Sequence, residues 1–540
     1  MNRLLLALPV LAGALLLSPS TPQADGEVAE LVVLEEQEPQ TTLPLTARTM
    51  SEQRLAELLF DRLFVQGRGG DLESRVLADG WSARPPNLTV TLADGLTFSD
   101  GTPATFSDLA FTVNDVYRRA DVGHGFGAWY ARVFGDVQQI TPTTGSLRFQ
   151  VQMPEVGAER YLLTTALFSQ ASLSDGDRVD LDRSRRQPVG TGPFHAAAPI
   201  ENFDDVRLVR NPHRPIPARV ADKDDRVPIS AIRLLYDQDA ARQKELMEGS
   251  RAELWVAPPP AVIPDFKNQS ERFGVRGYDL NQWWYVALDH EGQHLSDPAV
   301  REALDLALQR EDLVAKFGAD AAKATSGPFL PGSAWNPADV APTPHDISKA
   351  KALLEGAGYV REGGAWVKGG EALDLKLGVQ ADLLDDFNDV VYGVIDGWED
   401  LGVRVRVRGI RPGDWTSKVE AGRGRDDYDA ILGRWNLDRE EAALELFRAP
   451  SGDGPRTNLF GWSSEQTDEL LKSFYAEGSG PVREALMQKF HRAVHGDRPY
   501  LFLWTVQIQS VVRRDKVVGF RPAPFYYFTH VDQAAWRRSK

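Results

Sequence analysis

The sequence predicts an α/β protein of two lobes joined near residues 270 to 285. Three observations carry this expectation. Strand-like runs with period 2 and helical stripes with period 3.6 alternate along the chain; Leu373 to Val407 reads as strand, helix, strand; and the cluster Pro258, Pro259 and Pro260, the strongest punctuation, lies near the midpoint of 540 residues, just ahead of the strand-like run Trp283 to Leu288. A chain this long exceeds one ordinary core, so two or three domains are expected. A 42% hydrophobic share, with 46 Gly and 34 Pro spread along the chain, is that of a globular protein.

The elements follow in order. Leu31 to Leu34 is a short strand, and Gln53 to Phe64 is helical, with Leu55, Leu58, Leu59 and Leu63 on one face. Leu88, Val90 and Leu92 alternate with threonines, Asp94 and Gly95 form a turn pair, and Leu96 and Phe98 resume the alternation, so a hairpin is expected. Ser107 is the expected cap of a helix with the stripe Leu109, Val113, Val116 and Tyr117. Asp297 is a natural N-cap with Pro298 at the first helical position. A helix from Ile347 stops at Gly358. Leu373, Leu375 and Leu377 alternate, Phe387 to Leu401 is a helical stripe, and Val403, Val405 and Val407 alternate again, which implies a parallel βαβ unit. Asp429 to Trp435 is a further strand. Helices over Thr467 to Tyr475 and Val482 to Val494 flank a glycine turn, and Tyr500 to Val512 is a long strand that would carry the C-terminal tail back to the first lobe.

Charge and cysteine usage exclude several functions. The net charge of −16 and the lack of a basic stripe interleaved with aromatics argue against a nucleic-acid partner. Zero cysteine removes disulfides, thiolate nucleophiles, cysteine-ligated zinc, iron–sulfur clusters and the lipid-attachment cysteine of a lipoprotein. The N-terminus pairs Arg3 with an apolar run from Leu4 to Leu17 and then small residues, which reads as a secretory signal peptide cleaved after Ser20 or Ala24. The run is short for a membrane span, which needs about 20 residues. A soluble, unlipidated protein of the periplasm, or a secreted one, is expected.

Eight collinear segments carry a family resemblance: "LLFDRLF" from Leu58, "LADGWS" from Leu77, "LTFSDGTPATFSDLAFTVNDV" from Leu96, "PVGTGPF" from Pro188, "VRLVRNPH" from Val206, "LSDPAVREALDLALQRE" from Leu295, "DISKAKALLEGAGY" from Asp346 and "DYDAILGRW" from Asp427. In these the chain resembles the family 5 extracellular solute-binding proteins, the peptide receptors of ABC importers. The resemblance implies a two-lobed periplasmic-binding-protein-like α/β fold with a hinge, and an extra subdomain in the first lobe. The corresponding division is a signal peptide at 1–24, first lobe at 25–60, extra subdomain at 61–190, first lobe again at 191–280, second lobe at 281–500, and a return to the first lobe at 501–540. It also implies a monomer that delivers a peptide or other small solute to an inner-membrane ABC permease, powered by a separate ATPase, with no cofactor. A sensory receptor, or a binder of a sugar or metal chelate, would use the same fold.

A free peptide offers an ammonium, a carboxylate and unpaired backbone groups, and a buried site must answer each of them. In peptide-binding relatives an Asp shortly after a "GW"-like strand end pairs with the ammonium. Asp438, after Gly433, Arg434 and Trp435, matches that position, with Trp435 as a pocket wall; Arg439, Glu440 and Glu441 stand where the family continues with a further Asp-Pro. Trp283 and Tyr285 share one face of the crossover strand and are expected candidates for the cleft lining, with core packing as the competing fate. Thr49 matches a cleft-edge region, and Arg411 is a candidate for a ligand carboxylate. Arg404, Arg406 and Arg408 read as a solvated strand face.

One motif points elsewhere. His290, Glu291 and His294 fit H-E-x-x-H, the zinc-protease signature, which requires a helix so that both imidazoles share a face. Here a strand precedes the motif, Gly292 sits inside it, and the next helix starts only at Asp297, so a loop is expected and an enzyme is not. No G-x-S-x-G element or P-loop is present.

Overall fold

The computed structural model describes residues 29–537 except 48, 67–71, 79–80, 85–86, 119–133, 142–145, 152–161, 163–164, 176–177, 221–224, 238, 319–320, 420, 438–439, 449–457, 477–480 and 523–526. The signal-peptide segment therefore lies outside the described residues. Among those described, no helix is long and apolar enough to cross a membrane.

An 11-stranded mixed sheet runs through both lobes. In the first lobe Glu30–Glu35 pairs in parallel with Ala231–Tyr236 and Leu254–Trp255, and Asp205–Arg210 adds an antiparallel strand outside Ala231–Tyr236. In the second lobe Asp374–Gln380 pairs in parallel with Arg404–Ile410 on one side and Ala430–Asn436 on the other. Two long antiparallel strands, Phe273–Leu288 and Tyr500–Arg513, join the halves into one sheet. The expected strand–helix–strand unit is present, its helix running Asn388–Leu401 and ending on Gly402 at φ 98°, a left-handed cap that glycine adopts without a Cβ penalty.

The ribbon segment Trp283 to Leu288 is apolar on both faces because both are covered. Trp284, Val286 and Leu288 pack into one second-lobe core with the helix Asn388–Leu401. Trp283, Tyr285 and Ala287 pack into another with Phe447, Phe490 and Tyr500. The first-lobe core holds Leu31, Leu55, Leu58 and Phe194 together with Tyr527, Phe528 and Trp536 of the C-terminal tail, whose strand Ala535–Arg537 pairs with Arg226–Pro228.

Three local expectations need correction. The first long helix runs Met50–Leu59, earlier than expected, because Thr49 and Glu52 form a capping box and the Leu59 carbonyl is taken by the Gly192 N–H at 3.0 Å. Asn87–Thr91 does not fold back on Leu96 to Phe98; it pairs instead with Ser82–Arg84 and Ser146–Val151, in a four-stranded sheet with Phe134–Thr141. The turn at Asp94 and Gly95 forms, but the Phe98 N–H bonds to the Thr102 carbonyl at 2.8 Å and commits that segment to a second turn. Thr105, not Ser107, caps the helix Phe106–Phe111, with the Asp108 carboxylate accepting from the Thr105 N–H at 2.8 Å.

Candidate functional site

Ligands of open α/β sheets bind beyond the carboxyl ends of the parallel strands. The register fixes where those ends lie. Leu254 and Trp255 pair with Val512 and Val511, so the first-lobe strands point along the ribbon away from Arg513. Ala430–Asn436 pairs antiparallel from Leu288 to Gln282, so the second-lobe strands point away from Leu288. Both sets of carboxyl ends thus converge on the middle of the ribbon. There the ladder is interrupted between Asp279 and Trp283.

From the first lobe this convergence brings Glu35 and Tyr236, the last residues of their strands, and Glu36 just beyond. The Glu35 carboxylate is buried and accepts from Arg54 Nε at 3.0 Å and Nη2 at 2.7 Å, while Arg54 Nη2 also donates to Glu36 at 2.8 Å. Burial pushes the Glu35 carboxyl up, against the pull of Arg54. Thr49 stands beside this cluster, where its hydroxyl accepts from the Glu52 N–H at 3.2 Å and secures the helix start.

From the second lobe come Gln380, Arg411 and the segment around Trp435. The Gln380 Oε1 accepts from the Arg434 N–H at 2.8 Å, tying two strand ends together. Buried Gln282 donates to the Asn436 side chain and accepts from Trp284 Nε1 at 3.3 Å, so the ribbon holds the exit of Ala430–Asn436. Trp435 is half-buried, stacked on Tyr285 at 5.8 Å and 18° and edge-on to Trp415 at 6.0 Å. Arg411 is exposed, one residue past Arg404–Ile410. Asp438 lies outside the described residues, two positions beyond the strand end at Asn436.

Trp283 and Tyr285 are fully buried and offer no surface in this conformation. Trp283 packs at 5.0 Å from Phe502 and 5.6 Å from Tyr500, and Tyr285 at 5.1 Å from Tyr500. The alternation that puts them on one face is observed, and that face is closed by helices. Burial raises the Tyr285 hydroxyl well above its ordinary value, so it stays protonated. Gln282, Asn436, Arg54 and Glu36 were not singled out by sequence: Glu35 and Arg54 are joined only by the fold, and a polar pair such as Gln282 and Asn436 has no spacing signature.

The H-E-x-x-H motif does not form a metal centre. It lies in the turn between Phe273–Leu288 and Pro298–Leu306, and its two imidazoles face different partners: His290 Nε2 is 3.0 Å from the Arg498 carbonyl and His294 Nδ1 is 2.9 Å from the Tyr359 hydroxyl. Glu291 pairs with Arg425. Among the described residues no three His, Cys, Asp or Glu side chains are grouped to hold a metal ion. Burial holds His290 down at about 4, a neutral imidazole. Arg404 and Arg406 are exposed and paired with Asp374, as a solvated face requires.

Residues 74–454 match the model of the bacterial extracellular solute-binding proteins, family 5 Middle. The chain is 22% identical to Di/tripeptide-binding protein 1 of Pseudomonas aeruginosa, covering 96% of each. Its fold is similar to that of the oligopeptide-binding protein AppA from Bacillus subtilis, solved with a nonapeptide, at TM-score 0.68 and 17% identity, over 94% of this chain and 99% of that one. NikZ from Campylobacter jejuni, solved with Ni(L-His), is similar at TM-score 0.68 and 17% identity, over 95% and 100%.

Proposed function

The chain belongs to the bacterial extracellular solute-binding proteins of family 5, and from that premise we propose that it captures peptides between its lobes and delivers them to an inner-membrane ABC permease. The observation that carries this reading is the convergence of both lobes' strand ends on the middle of one ribbon. A solute held there touches both lobes at once. It therefore favours the closed arrangement by whatever contacts it gains on closure, and the permease reads that closure. The relative named for di- and tripeptides, matched along 96% of both chains, supports peptides as the solute.

In this reading Asp438 pairs with the peptide ammonium and Trp435 forms a pocket wall. Trp283 and Tyr285 act from behind, as the rigid backing on which Trp435 stacks. Arg411 answers the ligand carboxylate, and Thr49 holds the first-lobe edge loop against its helix. The lobe boundaries are those given by the resemblance, with the ribbon strands as the hinge. The mature protein is a periplasmic monomer released by signal-peptide cleavage, and it is a receptor rather than an enzyme.

Thermal unfolding with a mixed peptide pool tests the ligand class, with a raised melting temperature expected. Asp438→Ala should weaken peptides with free N-termini more than their N-acetylated counterparts, and equal losses for both would remove the assigned role. NikZ shows the same fold holding a nickel–histidine chelate. A melting shift with Ni(L-His) and none with peptides would move the assignment to that class.

A further inference from the structure

The first-lobe wall of the cleft carries an ionic cluster whose charges do not cancel. Arg54 is fully buried, and its one guanidinium serves two carboxylates, Glu35 with no exposed side-chain surface and Glu36 with 43% of its side chain exposed. Ser51 adds a neutral hydrogen bond to Glu35 at 3.1 Å. Glu57, on the helix of Arg54, accepts from the Phe528 N–H at 2.6 Å, and burial pushes its carboxyl up to about 7. With Glu35 and Glu36 ionised, the trio carries a net negative charge, and the accessible part of it is Glu36.

The position is held rather than loose. The loop that follows Glu36 is fastened to the start of the helix Met50–Leu59: the Gln37 N–H donates to Ser51 Oγ at 3.3 Å and the Gln40 N–H to Glu52 at 2.9 Å. The surroundings are polar beyond what the protein itself uses. Arg54 Nη1 and the hydroxyls of Tyr236 and Tyr278 are buried without a protein partner. Tyr236 stands opposite Glu35 in the register, and Tyr278 belongs to the ribbon. Buried polar groups left unpaired by protein are places for water or for the polar end of a ligand.

The geometry points to Glu36 as a ligand-facing carboxylate, positioned by Arg54, that selects solutes carrying a positive side chain such as that of lysine or arginine. This rests on the reading of the cleft as a peptide site. The ligand cation neutralises the surplus carboxylate at the end of Glu30–Glu35, and Tyr236 and Tyr278 offer hydroxyl oxygens nearby. Arg54 is a positioning residue: its buried guanidinium fixes Glu36 through Nη2.

Calorimetric titration of the mature chain with Ala-Ala-Ala and Ala-Lys-Ala tests this. The wild type should bind the lysine peptide at least about tenfold more tightly. Glu36→Gln, at a part-exposed position, should erase that preference while leaving Ala-Ala-Ala within about twofold, and raising salt from about 0.05 to 0.5 M should shrink the wild-type preference as the charges are screened. Equal losses for both peptides in the variant, or no wild-type preference, overturn the role of Glu36 and leave the peptide site intact. Binding of neither peptide to the wild type overturns the peptide reading and this inference with it.

Discussion

Replacing Glu253 by glutamine should change how stability depends on pH in a defined window. Glu253 precedes the strand Leu254–Trp255 and is 7% exposed. Its Oε2 accepts from the Val32 N–H at 3.0 Å. Burial, opposed by that bond and by the charges of Arg513 and Lys516, pushes its carboxyl up from 4.5 to about 7. The folded state therefore holds the proton more tightly than the unfolded chain does. Its stabilising contribution is complete below about pH 4.5 and is lost as pH rises through about 7. At 1.36 kcal/mol per unit, the loss approaches about 3 kcal/mol above neutrality. Glutamine keeps an acceptor for the Val32 N–H and does not titrate. Glu253→Gln should thus be more stable than the parent by about 2–3 kcal/mol at pH 8, with the advantage vanishing near pH 4.5. Urea unfolding followed by tryptophan fluorescence measures this, and the difference between variant and parent cancels every other titrating group. Curves that run parallel from pH 4.5 to 8 would refute the reasoning.

Gly192→Ala should destabilise the first lobe by about 2 kcal/mol or more, because overpacking against rigid backbone has little room to relax; a Cβ there would stand 2.3 Å from the Leu59 carbonyl carbon and 2.6 Å from the Leu58 oxygen, and the melting temperature is the readout. Trp283→Ala should cost about 3–5 kcal/mol in urea unfolding, the range for deleting a buried aromatic. It should also weaken peptide binding measured by calorimetry, since Trp435 stacks on Tyr285, whose ring lies 5.5 Å from Trp283; undiminished affinity would show that the stack has no part in the pocket.

Local chemistry made much of the fold legible. The cap at Asp297 with Pro298, the stop at Gly358 and the strand–helix–strand run after Leu373 all depend on neighbours within a few residues, and the structure contains each of them. The hairpin expected at Asp94 and Gly95 failed for the opposite reason. Its turn was visible, but Asn87–Thr91 is flanked by Ser82–Arg84 on one side and on the other by Ser146–Val151, more than 50 residues away, and no alternation pattern names a partner at that distance.

The candidate site is the extreme case of that limit. Period 2 places Trp283 and Tyr285 on one face and Trp284 on the other, but whether a face meets a ligand or a helix depends on what packs against it, and here both faces carry cores. The cleft is set by strand direction instead. Its location follows from Trp255 pairing with Val511 and Gln282 pairing with Asn436, contacts spanning 256 and 154 residues of chain. Residues that act there need not be conspicuous in sequence. Glu36 sits among acidic neighbours in an acidic chain and acquires meaning only because the fold brings Arg54 beneath it and Tyr236 beside its strand. A charge on the surface of such a protein is ordinary; a charge held by a buried guanidinium where the parallel strands of both lobes converge within one mixed sheet is placed to discriminate between solutes.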